Sequence, residues 1–325
     1  MYKNYNFYKI LPVSNKIIFT KFKKNIILIK TRVIMYNIIV NPVAGKHKAS
    51  KVIKKVSKYL KSQNVEFLVF FSETAEDINN ITKKLCKDGE RDFIVVGGDG
   101  TLNHFVNGLT DPSKTNFGII PAGKHNHFAR YLGLPKKPIE AIKNVLEHPS
   151  IKVDYLKCNQ YRALNLISCG AIEVAENKYL SQDENLKMPR RKILNSVLKN
   201  FEGIHLTIDA DNLKQKDKLY TSCAVCNGGF YGDNIYISPL SNMHDGLANV
   251  VTLDYDENKK IKKDYAVVKK GKHIYKKPTS NSWSSYVNIK GKAPIDTMID
   301  GEIYQFNELE INVIAKGLNI YTNKY

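Results

Sequence analysis

The chain has 325 residues, a length that favours two domains over one. Apolar residues make up 43% and charged residues 25%, which is typical of a folded globular protein and excludes a disordered chain. No apolar run approaches the ~18 residues of a membrane span, so we expect no transmembrane segment. The five cysteines are too scattered for a disulfide framework and favour a cytoplasmic location.

The net charge of +19 would suit an anionic partner such as a nucleotide, a nucleic acid or an acidic membrane. The charge is unevenly placed, because residues 1–34 hold eight basic residues and no acidic one. Lysine is also frequent throughout the chain, together with Asn, Ile and Tyr. We therefore do not interpret the charge as evidence for nucleic-acid binding, and we expect no nucleic-acid partner.

Residues 1–34 look separate from the rest of the chain. Their apolar run of four residues is too short for the core of a signal peptide. Two interpretations remain: a basic arm that docks on anionic lipid, or a disordered extension. We favour the disordered extension, since a strand is predicted from Tyr36 onwards and needs nothing before it.

Alternating strands and helices are predicted over residues 35–150. The strands are expected at 36–40, 66–71, 92–96 and 117–120, with amphipathic helices between them. Strands separated by helices of this length are most simply parallel, so the pattern predicts an α/β domain with a parallel sheet in three layers. Ligands of such sheets bind where the strands end and the helices begin.

Three loops rich in small residues follow these strands: NPVAG at 41–45, GGDGT at 97–101 and PAGKHN at 121–126. Glycines let backbone N–H groups approach a phosphate closely, and a helix N-terminus adds a favourable dipole. A carboxylate such as Asp99 in a phosphate loop is tolerated when magnesium intervenes. Helix capping by the Asp99 side chain is the alternative, but Thr101 can cap equally well.

Residues 151–325 read mostly as strands and predict a β-sandwich, with a helical insertion near 172–201. Cys223 and Cys226 are three residues apart on a predicted strand and therefore point to opposite faces. We interpret them as core thiols and not as metal ligands.

Several of these motifs together resemble the diacylglycerol kinase catalytic-domain family, which includes soluble bacterial lipid kinases and sphingosine and ceramide kinases. The motifs are NPVAG, GGDGT followed by Asn103, and GIIPAGKHNHFARYLGLP at 118–135. The resemblance continues through NGGFYG at 227–232, Ser238-Pro239, HDGL at 244–247 and IDGE at 299–302. It covers essentially all of residues 35–325, in the family's order.

The resemblance implies an ATP-dependent lipid kinase of phospholipid metabolism. It would transfer the γ-phosphoryl group to a hydroxyl of a diacylglycerol-like or sphingoid-like lipid. The acceptor would enter between a nucleotide-binding domain (35–150) and a lipid-substrate domain (151–325), whose final segment would return to the first domain.

The resemblance also implies site residues. Glu302 would be the general base with Asp300 beside it, and magnesium would lie near Asp245 with the carbonyls of Asn242 and Leu247. The candidate nucleotide residues, from the loops and from the resemblance, are Asn41, Pro42, Gly45, Thr74, Gly97, Gly98, Asp99, Gly100, Thr101, Asn103, Gly123, Lys124 and Asn126.

Two positions depart from the family pattern. Lys124 stands where the family has a threonine, and His127 stands where most members have an aspartate. These departures leave open a catalytically impaired protein that binds lipid or nucleotide. An NAD kinase-like phosphotransferase is the other alternative, since NAD kinases share GGDGT and a two-domain organisation. We expect contact with lipid at the inner face of a membrane, while the acceptor lipid and a homodimeric state stay undetermined.

Overall fold

The computed structural model describes residues 19–22, 25–28, 34–183, 188–231, 235–257, 261, 267–268, 270–273 and 279–322. The first elements in chain order are β1 (Phe19–Phe22), β2 (Asn25–Leu28), β3 (Met35–Val40), α1 (Ala44–Ser62), β4 (Glu66–Phe71), α2 (Ala75–Lys87), β5 (Asp92–Gly97), α3 (Asp99–Gly108), β6 (Asn116–Pro121), α4 (His127–Tyr131) and α5 (Pro138–Glu147). A short 3-10 helix, Pro112–Lys114, lies between α3 and β6.

The remaining elements follow in the second half of the chain. They are β7 (Ser150–Cys158), β8 (Tyr161–Ala163), β9 (Leu166–Gly170), α6 (Ala171–Leu180), α7 (Arg190–Asn200), β10 (Ile204–Ala210), β11 (Leu213–Cys226), β12 (Phe230–Tyr231), β13 (Ile235–Tyr236), β14 (Ala248–Asp254), β15 (Thr279–Ser284), β16 (Tyr286–Ile299) and β17 (Glu302–Tyr321). None of the described helices is long and apolar enough to cross a bilayer.

The chain divides into two compact units. The first contains the chain up to Lys124, then Leu134–Ser150 and the described residues 320–322. The second contains His125–Gly133 and Ile151–Asn319. The segment His125–Gly133, which the sequence assigns to the first domain, therefore belongs to the second unit.

The first unit contains a sheet in which β3 pairs in parallel with β4 and β5, and β5 pairs in parallel with β6. The strands are buried and rich in Ile, Val and Phe, as expected for parallel strands covered by helices. Because all four strands run in one direction, their carboxyl ends lie at one edge of the sheet. The loops that follow β3, β5 and β6 therefore begin at that edge.

Helices of the first unit pack on this sheet through apolar side chains at helical spacing. Val52 and Val56 of α1 join one core cluster with Ile142 of α5 and with strand residues such as Ile94. The ring of Phe105 in α3 packs edge-to-face against Phe93 and Phe117 in β5 and β6. Full burial of each such side chain stabilises the fold by about 1.5–3 kcal/mol.

The end of the chain completes the core of the first unit. Tyr321 lies edge-on to Tyr36 with ring centroids 6.0 Å apart, and its hydroxyl donates to Asp92 Oδ1 at 2.6 Å. The Asn144 amide donates to the Tyr321 carbonyl at 3.0 Å. Burial and, to a smaller extent, the neighbouring Asp92 raise the pKa of Tyr36.

The N-terminal residues differ in part from the expected disordered extension. β1 and β2 pair as an antiparallel hairpin, with Phe19 opposite Leu28. The sequence of β2, NIIL, is rich in residues that favour strands. The other residues of the segment 1–33 lie outside the described residues.

The second unit is built mostly of antiparallel strands. Two long strands, β11 and β16, each pair with β10 through one part and with β9 through another. β14 lies between β11 and β15 and pairs with both, and β17 pairs with β16. Cys223 belongs to the central core cluster and Cys226 to a separate cluster, so the two thiols face opposite sides of β11 as predicted.

The structure corrects the predicted boundaries at two places in the second unit. The helical insertion expected near 172–201 is two helices, α6 and α7, and residues 184–187 between them lie outside the described residues. The apolar run 298–306, which reads as one strand, is split by a turn at Asp300 and Gly301 between β16 and β17. Both turn residues have positive φ, 49° and 106°, a conformation that Asp-Gly adopts readily in tight hairpins.

We predict that Tyr321→Phe destabilises the first unit by about 1.5–3 kcal/mol, because the buried carboxylate of Asp92 loses the hydrogen bond that the Tyr321 hydroxyl donates. Urea unfolding followed by circular dichroism measures this change. Tyr286→Phe is the matched control, since Tyr286 is exposed on β16. Equal unfolding midpoints for the wild type and Tyr321→Phe would contradict the stabilising role of this contact.

Candidate functional site

Backbone and side-chain contacts join the three glycine-containing loops of the first unit. Asn41 Nδ2 donates to Thr101 Oγ1 at 3.3 Å, and the Asn41 N–H donates to the Val96 carbonyl at 3.3 Å. The Ala122 N–H donates to the Gly97 carbonyl at 2.8 Å. The loops predicted from sequence as one anion site therefore do lie together at the edge of the sheet.

Gly45 allows the first loop to approach the third. It has φ of 61°, and a Cβ atom at this position would lie 2.0 Å from the Ala122 carbonyl oxygen. Lys46 and His47 continue the left-handed conformation with φ of 57° and 66° before α1 becomes regular. A side chain at residue 45 would thus force the two loops apart, and glycine is required for the close approach.

The second loop ends at the N-terminus of α3. The N-cap residue is Gly98, which has no side chain with which to cap the helix. Asp99 occupies the first helical position, so it does not take the N-cap role that the sequence left open. A methyl group on Gly100 would meet no atom of the described residues within 4 Å. Backbone N–H groups at a helix N-terminus, beside a glycine with open space at its Cβ position, form a suitable site for phosphate oxygens.

Two other predicted nucleotide residues make local contacts within the first unit. Thr74 is the N-cap of α2: its Oγ1 accepts from the Asp77 N–H at 3.1 Å, and Asp77 accepts from the Thr74 N–H at 2.8 Å. This capping box occupies the Thr74 hydroxyl. Asn103 is buried in α3 and its Oδ1 accepts from Asn107 Nδ2 at 3.3 Å.

The remaining predicted nucleotide residues lie in or after these loops. The Pro42 carbonyl accepts from the Ser50 hydroxyl at 3.0 Å, which fixes the first loop to α1. Gly123 is half-buried and Lys124 is exposed at the end of the third loop. Asn126, with φ of 53°, precedes α4 in the second unit. All predicted nucleotide residues except Asn126 therefore belong to the first unit. Among them, Thr74 uses its hydroxyl to cap α2.

His127 of α4 lies in an aromatic stack within the second unit. Its ring is parallel to that of His125, with centroids 5.1 Å apart, and stacks on Phe230 at 6.0 Å. Phe230 stacks in turn on Tyr236, and the Arg130 guanidinium lies 4.4 Å from the Phe230 centroid. The His127 ring is buried and fills a packing position, a role that a shorter aspartate would not fulfil.

Asp300 has a structural function that the sequence did not reveal. Its Oδ2 accepts from the Leu164 N–H at 2.5 Å, and its Oδ1 accepts from the N–H groups of Asn165 and Leu166 at 2.9 and 3.0 Å. The Asp300 N–H donates back to the Leu166 carbonyl at 3.2 Å. The carboxylate thereby attaches the β16–β17 turn to the start of β9.

Glu302 is placed by this attachment. It is the first residue of β17, opposite Ile299, and its side chain is exposed. Burial raises the pKa of Tyr304 to about 12, with smaller contributions from the charges of Tyr161 and Glu302. Glu302 and Tyr304 are two residues apart on β17 and therefore share one face of the strand, where the Glu302 side chain is exposed to solvent.

The loop predicted to hold magnesium is ordered by its own side chains. Asp245 Oδ1 accepts from the Leu247 N–H at 3.0 Å, and Asn242 Oδ1 accepts from the His244 N–H at 3.2 Å. Tyr131 donates to the Ser241 carbonyl and so fixes the loop to α4. Among the described residues, no three His, Cys, Asp or Glu side chains are grouped to hold a metal ion. One exposed carboxylate with neighbouring carbonyl oxygens fits a hydrated magnesium ion better than a dehydrated one.

Sequence reasoning missed Asp154, which organises the same loop. Asp154 is fully buried in β7, and its two oxygens accept from the N–H groups of Gly246 and Lys316 at 2.8 and 2.6 Å. Asn227 donates to the carbonyls of Asp154 and Leu164 at 2.9 and 2.8 Å. One feature of the sequence could have indicated this role: Asp154 is an acidic residue within the otherwise apolar run VDYL of a predicted strand.

Comparison with known families gives matches to both halves of the chain. Residues 35–158 match the diacylglycerol kinase catalytic domain, and residues 173–322 match the YegS C-terminal NAD kinase beta sandwich-like domain. The first match contains the three loops, and the second contains the Asp300 turn and Glu302.

Curated relatives cover most of the chain. A diacylglycerol kinase of Staphylococcus carnosus is 24% identical over 290 residues, which are 88% of this chain and 94% of the relative. A diacylglycerol kinase of Staphylococcus haemolyticus is 25% identical over 271 residues, 82% of this chain and 81% of the relative.

Solved structures share the fold. The crystal structure of a diacylglycerol kinase from Bacillus anthracis has a TM-score of 0.66 at 20% identity, and the match covers 90% of this chain and 97% of that one. An NAD kinase from Archaeoglobus fulgidus, solved in complex with ATP, has a TM-score of 0.51 at 13% identity, covering 89% and 94% of the two chains.

We predict that amide substitution destabilises the protein at Asp300 but leaves its stability almost unchanged at Glu302. Asp300→Asn removes one of two acceptor oxygens used by the backbone and turns an amide donor towards an N–H group, which costs about 1–3 kcal/mol. Glu302→Gln, at an exposed position of the same hairpin, is expected to change the free energy of unfolding by less than about 0.5 kcal/mol. Thermal and urea unfolding of the two variants measure both effects. Equal stability of Asp300→Asn and the wild type would refute the structural role of Asp300.

Proposed function

Because the chain belongs to the diacylglycerol kinase catalytic-domain family, we propose that it is an ATP-dependent lipid kinase. The family resemblance seen in the sequence is confirmed by the two domain matches and by the curated relatives. The reaction transfers the γ-phosphoryl group of ATP to a hydroxyl of a diacylglycerol-like or sphingoid-like lipid. The observation that most supports this function is the close packing of three glycine-containing loops next to the N-terminus of α3, with Gly45 against Ala122 and Gly97 against Thr101.

The first unit supplies the nucleotide site in this proposal. Phosphate oxygens accept from backbone N–H groups at the N-terminus of α3, next to Gly100, and the helix dipole favours their negative charge. Asn41 and Thr101 hold the first two loops together at the phosphates. Lys124 is exposed in the third loop, where its ammonium group adds a positive charge at the position that is a threonine in the family pattern.

Magnesium accompanies the nucleotide and neutralises charge on the phosphate oxygens. Asp99, in the first turn of α3, is the candidate residue beside the phosphates. Asp245, with the carbonyl oxygens of Asn242 and Leu247, is the candidate holder of a second, structural ion. The exposed position of Asp245 suits a hydrated ion of this kind.

The second unit supplies the general base. A lipid alcohol is a weak nucleophile, and a carboxylate on its hydroxyl proton orients the oxygen for attack and removes the proton. We assign this role to Glu302, whose side chain is exposed at the start of β17. Asp300 is a positioning residue, because its carboxylate oxygens accept from the backbone at residues 164–166 and hold the turn that carries Glu302.

The proposal makes a direct prediction for lipid phosphorylation. The wild type is expected to convert ATP and a lipid alcohol in mixed micelles to ADP and a phosphorylated lipid, detected by mass spectrometry. Glu302→Gln and Asp99→Asn should each lower kcat by about 10²-fold or more, since they remove the base and a carboxylate at the phosphates. Equal turnover by all three proteins would exclude these two roles.

Two further arms of the same assay separate the alternatives. NAD offered in place of lipid tests the NAD kinase-like function, for which a phosphorylated dinucleotide is the expected product. ATP binding without any phosphorylated product indicates an impaired binding protein, and Lys124→Thr should then restore turnover. His127→Asp is unsuitable for that test, because it removes a buried ring from the stack on Phe230.

We predict that Gly100→Ala weakens ATP binding without destabilising the protein. A methyl group at residue 100 meets no described atom of the protein within 4 Å, and alanine is the better helix former, yet the group occupies space assigned to phosphate. Gly45→Ala, in contrast, should unfold more readily because its Cβ collides with the Ala122 carbonyl. Calorimetric titration with ATP and thermal unfolding measure both properties. Unchanged ATP affinity in Gly100→Ala would place the phosphates elsewhere.

A further inference from the structure

Two buried thiols face each other across neighbouring strands of the second unit. Cys169 of β9 is the direct partner of Cys223 in the antiparallel register of β9 and β11. Both side chains belong to the central core cluster, where they are 1% and 0% exposed, so they project from the same face of the sheet. All five cysteines of the chain are free thiols, and the proposed phosphoryl transfer uses none of them.

The two thiol groups are in contact with each other. A hydrogen bond with the Cys223 thiol raises the pKa of the Cys169 thiol well above its usual value, and burial and the neighbouring Glu173 add to this effect. The thiolate is the form that reacts with oxidants, and a raised pKa makes it scarce at neutral pH. The pair therefore stays reduced until an oxidant is present in excess.

The backbones of β9 and β11 approach each other closely beside this pair. Gly170 has φ of 142°, and a Cβ atom there would lie 2.4 Å from the Thr221 carbonyl oxygen and 2.7 Å from the Ser222 Cα atom. Residues directly opposite in an antiparallel pair have Cα atoms about 4.5–5.5 Å apart. A disulfide spans Cα separations of about 4.4–6.8 Å, so the two cysteines can be joined within the existing register.

The other three cysteines have different neighbours. Cys158 lies opposite Tyr161 in the hairpin of β7 and β8, and Cys226 lies opposite Leu166 of β9. Cys86 is buried in α2 of the first unit. The described strand pairings therefore bring one pair of cysteines together.

We propose that Cys169 and Cys223 are a redox modification site, at which a hydroperoxide joins β9 to β11 through a reversible cross-strand disulfide. One thiol loses its proton, and its thiolate attacks an oxygen of hydrogen peroxide. The O–O bond breaks, a sulfenic acid forms, and the leaving hydroxide takes up the released proton to become water. The second thiol attacks the sulfenic sulfur, the S–S bond forms, and a second water leaves. Two thiols and one peroxide thus give one disulfide and two water molecules.

The disulfide acts on the proposed kinase through β9, a consequence that rests on the proposed function, whereas the disulfide itself does not. Opposed Cβ atoms lie about 4.5–5.5 Å apart and a disulfide requires about 3.5–4.5 Å, so closure draws the two strands together. The start of β9 supplies N–H groups that hold Asp300 and the turn before Glu302. Because a displacement of about 1 Å lowers turnover strongly, the oxidised form is expected to be the slower enzyme.

The first experiment maps the disulfide in the folded, full-length wild type. The protein is treated with hydrogen peroxide at about pH 8, where more thiolate is present, and the remaining thiols are blocked with N-ethylmaleimide. Mass spectrometry of the unreduced digest should show one cross-linked pair of peptides, which contain Cys169 and Cys223 and separate in dithiothreitol. Absence of this cross-link would overturn the proposal, whether the two thiols stay intact, are oxidised further or pair with other cysteines.

Intact-mass measurements on matched variants test the assignment independently. Peroxide should remove two hydrogen atoms from the wild type, and it should form no intramolecular disulfide in Cys169→Ala or Cys223→Ala. Cys226→Ala is the control, since Cys226 is equally buried on β11 but belongs to a different cluster, and this variant should still lose two hydrogen atoms. The same loss in Cys223→Ala would overturn the assignment. Because the mapping uses the wild type, it decides the proposal even if an alanine variant fails to fold.

Turnover measurements distinguish failure of this inference from failure of the proposed function. Oxidised wild type should phosphorylate a lipid alcohol several-fold more slowly than the reduced protein and recover in dithiothreitol, while Cys223→Ala should keep its turnover after the same treatment. Equal turnover of the two redox forms would overturn the effect on the kinase. If the reduced wild type phosphorylates no lipid alcohol, the kinase function is wrong, and the peptide map alone decides the modification site.

Discussion

The attachment of the Asp300 carboxylate to three consecutive backbone N–H groups is the interaction on which the position of the proposed base, Glu302, depends. Residues 164–166 connect β8 to β9, and their N–H groups require acceptors that the strand ladder does not supply there. The carboxylate satisfies them with charge-assisted hydrogen bonds, which are stronger than neutral ones. One side chain thus fixes the start of β9 and the turn before Glu302 at the same time.

The attachment of Asp300 to the start of β9 affects the turn before Glu302, and β9 makes a further contact at Ser168. Glu302 begins β17 at a defined place because the turn before it cannot move freely. Ser168, two residues beyond the attachment, lies opposite Met298 and donates to the buried carboxylate of Glu173. The turn before Glu302 and the side chain of Glu173 are therefore both attached to β9.

The acidic residues named above occupy two kinds of position. Asp154 and Asp300 accept from backbone N–H groups, and Asp92 accepts from Tyr321, so these three hold loops and termini in place. Glu302 is exposed and Asp99 lies in the first turn of a helix, positions from which a carboxylate can meet substrate or metal. The motif IDGE contains one acidic residue of each kind, and their spacing in the sequence does not distinguish them.

The sequence by itself determined the alternation of strands and helices over 35–150, the strand-rich second half and the glycine loops, because periodicity and turn residues are local properties. The order of its motifs also predicted the resemblance to the diacylglycerol kinase catalytic domain, which residues 35–158 match. Only the tertiary structure decided that Asp300 binds backbone, that Thr74 caps α2, that His125–Gly133 joins the second unit and that Asp154 and Glu173 are buried. Each of these depends on partners distant in sequence or on local geometry that residue type leaves open, and hydrogen bonding and burial are settled only when those partners meet.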